Sequence, residues 1–273
     1  TKISKYAFSN CTSLKNIILP SSLSLIGESA FINCTSLTQI SNDSFIASVG
    51  QKFINWISPY ITEPTDFTSS VKTCIENDAF YRCSSLNKVI IPFSVTAINR
   101  NVFYECLSLT QISIPFSVKS IDDYAFYKCS SLTKIKIPYS VASIGKYAFY
   151  ECSSLIEISI PSSISKIEDW TFFGCSSLAQ LSIPSSVNSI GKGAFSKCSS
   201  LKYIFIPFSI KDIGNEAFKN CSSLIGMTIP LKVTSIDFKI FEGCSSLKQI
   251  KIPLVVNLNG LEYLPPEVMI TRI

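Results

Sequence analysis

The stretch IPYSVASIGKYAFYECSSL, residues 137 to 155, decides the architecture, because its pattern returns every 23 residues along nearly the whole chain. Prolines stand at Pro92, Pro115, Pro138, Pro161, Pro184, Pro207, Pro230 and Pro253, and cysteines at Cys83, Cys106, Cys129, Cys152, Cys175, Cys198, Cys221 and Cys244, every neighbouring pair 23 apart. A period in the twenties is the mark of a solenoid. One such unit cannot bury its own apolar face, so each copy is stabilised by the next, and the aligned exposed positions form a long surface.

Each unit reads in two halves. In SLTKIKIP the apolar Leu132, Ile135 and Ile137 alternate with Lys134 and Lys136, as a half-buried strand requires. Pro138 then closes the strand, since it offers no amide proton to a sheet ladder. In the second half Val141 and Ile144 face inward, the chain turns near Gly145, and Ala148, Phe149 and Cys152 pack from a short helical turn. A strand and a helical turn per unit predict an α/β repeat solenoid. Phenylalanine stands three residues before cysteine in every copy that keeps the cysteine, from Phe8 to Phe241, and is expected to form a core spine. The Ser-Ser pair after each cysteine is expected to cap the turn through local side-chain to backbone hydrogen bonds.

Composition narrows the function classes. Apolar residues make up 47% of the 273 and charged ones 16%, a balance for one domain that is mostly interior and not disordered. No apolar run reaches the roughly 18 residues of a membrane span. The chain opens at Thr1, part-way through a repeat and without Met, and reads as a fragment or processed product. Histidine is absent, which removes the usual general base, the commonest metal ligand and any His-dependent triad. The sequence therefore predicts no enzyme, no cofactor and no metal site. Of eleven cysteines, ten share one repeat position, Cys11 and Cys34 preceding the eight named above. Equivalent residues on adjacent rungs point in parallel, poor geometry for disulfides, and no CxxC occurs for zinc, so the column reads as a buried ladder of thiols. Cys74 lies off the column, where other repeats carry Ser120, Ser143 or Ser189.

The register slips once. Cys34 and Cys83 are 49 residues apart, three more than two periods. Residues 43–57 carry a worn copy, DSFIASVG aligning with PYSVASIG, and the added residues are placed within SPYITEPTDF, 58–67, and just before Cys74. The array thus spans 1–256 in about eleven units, with 43–68 degenerate, and 257–273 is either a C-terminal cap or the start of a following segment.

These residues resemble the leucine-rich repeats of BspA-like proteins: the Ile-x-Ile-Pro strand end, the Ile-Gly turn, the Ala-Phe pair and the Cys-Ser-Ser-Leu run recur in register over almost all of 1–256. The resemblance implies a curved array with a parallel sheet on the concave face and short strands or helical turns on the convex face. It also implies a surface-exposed or extracellular protein that attaches to host cells or matrix. It carries over no catalytic residues, and adhesion rests on analogy rather than on a motif.

If the alternation holds, each strand presents three outward residues, two after the Leu and one between the Ile-type positions. Those columns hold Lys15, Lys88, Lys134, Lys136, Lys202, Lys248 and Lys251 against one acid, Glu157, in a chain whose whole net charge is +5. Such a face draws acidic proteins or sulfated glycans; the plainer reading is that lysine solubilises the sheet. Tyr203 and Phe205, beside Lys202 and flanked by Ile225, form a candidate aromatic anchor, although strand propensity alone also favours aromatics. The candidate ligand-binding residues are therefore Lys134, Lys136, Lys202, Tyr203, Phe205, Lys248 and Lys251. A second aromatic set, Tyr124 with Tyr127, Tyr147 with Tyr150 and Trp170 with Phe173, shares one side of the helical turn, either as a stripe for association or packed against neighbouring copies. Few arginines and no nucleic-acid motif argue against nucleic acid. N-x-S/T sequons occur at Asn10, Asn33, Asn42 and Asn220 and matter only in a secreted protein. Two functions follow: a surface adhesion or protein-recognition module, or an intracellular, cytoplasmic scaffold using the same face, which the reduced thiol column would suit.

Overall fold

The computed structural model of the chain describes residues 1–20, 22–42, 73–257 and 259–273. The worn copy over 43–57 and the added residues over 58–67 lie outside the described residues. Elsewhere the alternation read at 132–137 becomes the strand Lys134–Lys136, exposed, buried, exposed. It pairs in parallel with Gln111–Ser113 and Glu157–Ser159, placing Ile135 between Ile112 and Ile158. Six such strands run from Asn16–Leu19 to Glu157–Ser159 and five more from Gln180–Ser182 to Met269–Arg272. Because the pairing is parallel and in step with the repeat, equal repeat positions stack into columns.

After each proline a tight turn follows, as where the Val141 amide donates to the Pro138 carbonyl at 3.1 Å. A second, two-residue strand comes next. Ser143–Ile144 pairs with Ser120–Ile121, and Ser189–Ile190 lies between Lys166–Ile167 and Asp212–Ile213. Gly145 and Gly191 then let the backbone approach the previous rung: a Cβ at either would meet the amide nitrogen of Asp123 or Asp169 at 2.5 or 2.6 Å.

The third side corrects the α/β expectation. No α-helix occurs among the described residues, and the only helical pieces are short 3-10 segments, Phe238–Phe241 and Leu261–Tyr263. The stretch expected as a helical turn is a series of tight turns whose amides alternate between their own rung and the next. Ala125, Tyr127 and Cys129 donate three residues back, to Asp122, Tyr124 and Phe126. Tyr124, Phe126 and Lys128 donate instead to Lys146, Ala148 and Tyr150 of the following rung at 3.0, 2.8 and 2.7 Å. This alternation requires left-handed residues within each turn, such as Tyr124 at φ 58° and Lys128 at φ 56°. The molecule is a parallel β-solenoid of stacked rungs, with rung-to-rung hydrogen bonds on every side.

The interior is built of columns. Phe126, Phe149 and Phe172 are fully buried and stack at 5.3 and 5.6 Å, with Ile, Leu and Val columns from the strands around them. All eleven cysteines are free, nine column members are buried, Cys11 is half-buried and Cys74 is exposed. Each buried thiol also donates to the carbonyl of the phenylalanine one rung back, as Cys152 does to Phe126 at 3.2 Å. The serine after the cysteine bonds between rungs rather than locally: Ser176 donates to the Ser153 carbonyl at 3.2 Å. Across the 49-residue interval the rungs are direct neighbours, since Gln39 and Ile40 pair with Lys88 and Val89, and Phe31 stacks on Phe80 at 5.4 Å. At the other end Met269–Arg272 adds a strand, and Arg272 donates to the carbonyls of Pro253, Leu254 and Val256 at 3.1, 3.0 and 2.6 Å.

Candidate recognition surface

The long-strand sheet shows an outward face of the composition its alternation dictates. Most of that face is short and polar: Gln111 and Ser113, Glu157 and Ser159, Gln180 and Ser182 all point to solvent. The strand Tyr203–Phe205 interrupts it. Both rings stand in solvent, 62% and 63% exposed, because the pleat that buries Ile204 must turn its neighbours outward. On the next rung Gly226 and Thr228 point outward, with the half-buried Ile225 before them, and on the one after Gln249 and Lys251 stand beside them, preceded by Lys248. Large, small and large side chains on three consecutive rungs leave a groove of about 560 Å³, bounded by Tyr203 and Phe205 on one side and by Lys248, Gln249 and Lys251 on the other.

The structure thus brings together four of the candidate residues, Tyr203, Phe205, Lys248 and Lys251. Lys202 precedes Tyr203 in the chain but does not line the groove. Lys134 and Lys136 lie three rungs back, and the Lys134 ammonium is drawn to the Glu157 carboxylate at 3.6 Å. Phe208 joins the groove although strand counting passes over it; it is 68% exposed and meets Phe205 edge to face, centroids 6.4 Å apart. The signal was in the residue after each strand-closing proline, apolar at Phe93, Phe116, Tyr139, Phe208, Leu231 and Leu254. That column runs along the corner between the two sheets.

The second aromatic set is structural. Tyr81, Tyr104, Tyr127, Tyr150 and Phe173 form one ladder with ring spacings of 4.6, 4.5, 4.7 and 4.5 Å. Tyr124, Tyr147 and Trp170 form a second beside it, closed at its ends by the Arg100 guanidinium over Tyr124 and the Lys192 ammonium over Trp170. The second ladder stops where Gly193 leaves room for the Trp170 indole. These rings are half-buried or buried against neighbouring rungs, and burial pushes the phenols of Tyr127, Tyr147 and Tyr150 upward. Several acids of this side are matched by cations one rung away, as Glu105 is by Arg82 at 2.8 Å and Glu242 by Lys219 at 2.9 Å. The sequons Asn10, Asn33 and Asn220 lie in left-handed turns, and the Asn33 side-chain amide donates to Asn10.

A second depression, about 480 Å³, follows the serine column at Ser176, Ser199 and Ser222 and carries one cation, Lys197, against one carboxylate, Glu151. Its hydroxyls are already donated to backbone one rung back. Among the described residues no three His, Cys, Asp or Glu side chains converge as metal ligands, and no helix is long and apolar enough to cross a membrane.

Comparison with known proteins assigns the repeat. A family model described as the BspA type leucine rich repeat region, in six copies, matches residues 1–62, 53–179 and 142–261. The chain belongs to the BspA type leucine-rich repeat family. This BspA-type array is similar to a leucine rich cell surface protein from Faecalibacterium prausnitzii, at 29% identity and TM-score 0.54, covering 100% of this chain and 83% of that one. It is similar also to a leucine-rich repeat protein of T. pallidum, at 29% identity and TM-score 0.51, covering 74% of this chain and 87% of that one. The pneumococcal vaccine antigen PcpA shares the fold at 18% identity and TM-score 0.52, covering 100% of this chain and 79% of that one. No curated protein matches the sequence.

Proposed function

We propose that this BspA-type array is a non-catalytic protein-recognition module of a surface-exposed protein, which binds an anionic partner through its long-strand face. The observation that carries the reading is the groove between Tyr203 with Phe205 and Lys248 with Lys251, where exposed aromatics and cations meet over a floor of Ile225, Gly226 and Thr228. Aromatic side chains of this kind contribute most where an interface desolvates them, while lysines at the rim speed encounter. Lys202, Lys134 and Lys136 extend the positive field along the same face. The F. prausnitzii relative is a leucine rich cell surface protein, which supports surface exposure here. An intracellular scaffold is the second reading, favoured by the column of free thiols.

The test is attachment of the purified chain to cultured epithelial cells, before and after protease or heparinase treatment of the cells. Replacing Tyr203 and Phe205 by Ser is expected to weaken attachment by about 2 kcal/mol without changing the melt of the array. Replacing Lys134, Lys136, Lys248 and Lys251 by Gln should slow association and flatten its salt dependence. Attachment that is protease-sensitive fits a protein partner. Loss of attachment on changing Tyr124, Tyr147 or Trp170 but neither groove set would place the interface on the turn side.

A further inference from the structure

The groove has two unlike walls, and their spacing fits one kind of ligand. Tyr203 and Phe205 are alternate residues of one strand, so their outward side chains lie about 7 Å apart along it. Lys248 and Lys251 stand two rungs away, about 10 Å across the sheet. Between the walls lie Gly226, which has no side chain, and Thr228, with the half-buried Ile225 at the end of the floor beside Lys248. A channel of that width and length holds one extended peptide lying along the strand direction. An extended peptide repeats its side chains at the spacing of Tyr203 and Phe205, one set toward each wall.

We infer that the groove binds an extended segment of a protein partner in which apolar and acidic residues alternate, the apolar set against Tyr203 and Phe205 and the carboxylates toward Lys248 and Lys251. This rests on the recognition reading above and deepens it. Charge selects the acidic set: no carboxylate occupies an outward position on the strands from Gln180–Ser182 to Gln249–Ile252, and neither Lys248 nor Lys251 has an ion-pair partner among the described residues. The aromatic wall selects peptide over sugar. Phe208 meets Phe205 at an interplanar angle of 88°, which makes a corner for an aliphatic side chain rather than a flat platform for a pyranose ring. A sulfated glycan, moreover, would set its anionic groups against the uncharged rings of that wall as well as against the lysines.

Fluorescence anisotropy with three labelled probes tests this: an octapeptide alternating leucine and glutamate, an octapeptide of the same composition with the leucines and glutamates in separate blocks, and a heparin octasaccharide. The alternating peptide is expected to bind at least tenfold more tightly than the block peptide. Its affinity should fall at least tenfold in Y203S/F205S, and likewise in K248Q/K251Q at low salt. Thr228→Trp, which plugs the floor from an exposed position, should abolish binding while leaving the circular dichroism spectrum and melt unchanged. Equal binding of the two peptides would overturn the inference. So would no binding of the alternating peptide, or a heparin octasaccharide that binds more tightly and is lost in K248Q/K251Q but not in Y203S/F205S. If cell attachment depends on the groove while the alternating peptide does not bind, only the peptide inference falls; if attachment is also indifferent to the groove, the recognition reading falls with it.

Discussion

The cysteine column shows what a single repeated residue does in this molecule. Its thiols fill a small apolar space and donate to the phenylalanine carbonyl one rung back, so alanine or valine at the same place would lose the hydrogen bond. Burial pushes the thiols from Cys106 to Cys221 above their ordinary range and that of Cys244 up to about 12. In the unfolded chain a cysteine ionises near about 8.5. Below that pH both states keep the proton and the stability is complete. Above it the unfolded state sheds protons that the folded state retains, so stability falls as pH rises toward the folded values, by about 1.4 kcal/mol per thiol per pH unit. With seven such thiols the loss is on the order of 10 kcal/mol per unit, comparable to the whole net stability of a domain. Urea midpoints measured in reductant from pH 7.5 to 10 should therefore drop steeply above about 8.5, and less steeply in Cys152→Ala. A flat profile would show that the thiols ionise in place. The burial of this column was legible from its spacing, because equal positions of parallel rungs must stack. Its hydrogen bond was not, because it depends on the carbonyl direction at Phe126, which the residue names do not specify.

At the level of elements, the strands were legible and the turns were not. Alternation at Leu132, Ile135 and Ile137 has one reading, and the structure follows it. The run YAFYEC contains no glycine and no proline, and residues three and four apart are apolar, which is what a helical turn presents. What overrides it is the neighbouring rung. Alternate amides find partners on the following rung, and that geometry forces residues such as Lys128 and Glu151 to positive φ. The scattered glycines and asparagines at the same column, Gly174, Gly243, Asn10, Asn33 and Asn220, hinted at it. Substitution at Lys128 separates the two geometries. In a helix glycine is the worse replacement, by about 0.5 kcal/mol or more relative to isoleucine. At φ 56° the order reverses, since a β-branched residue there is strained by about 1–2 kcal/mol and glycine is not. Lys128→Gly should therefore melt close to the parent, and Lys128→Ile several degrees below it. The opposite ranking would restore the helical turn.

Across the whole molecule, stability passes between adjacent rungs, and among the described residues no strand pairing ties one end of the array to the other. The repeat period is then a structural quantum, and removing one whole period should be tolerated where removing nearly one is not. Deleting residues 153–175 joins Cys152 to Ser176 and restores the Cys-Ser-Ser-Leu run in register. Every column then reconnects: Phe149 meets Phe195, Ile135 lies next to the strand Gln180–Ser182, and the groove over Gly226 is untouched. Deleting residues 153–174 instead leaves Cys152 beside Cys175 and puts each following residue one place out of step. In a strand that slip turns buried isoleucines to solvent and serines to the core. The first variant should fold with an unchanged circular dichroism signal per residue, melt cooperatively somewhat below the parent, and bind groove ligands unchanged. The second should lose cooperative melting at the junction. The natural chain already contains a related junction: its rungs at Ile40 and Val89 pair directly although 49 residues separate them, so what the stack requires is register at each contact and not an unbroken repeat between contacts. Equal melting of the two deletions would mean that neighbouring rungs do not read one another's register, and the one-dimensional account of this solenoid would be wrong.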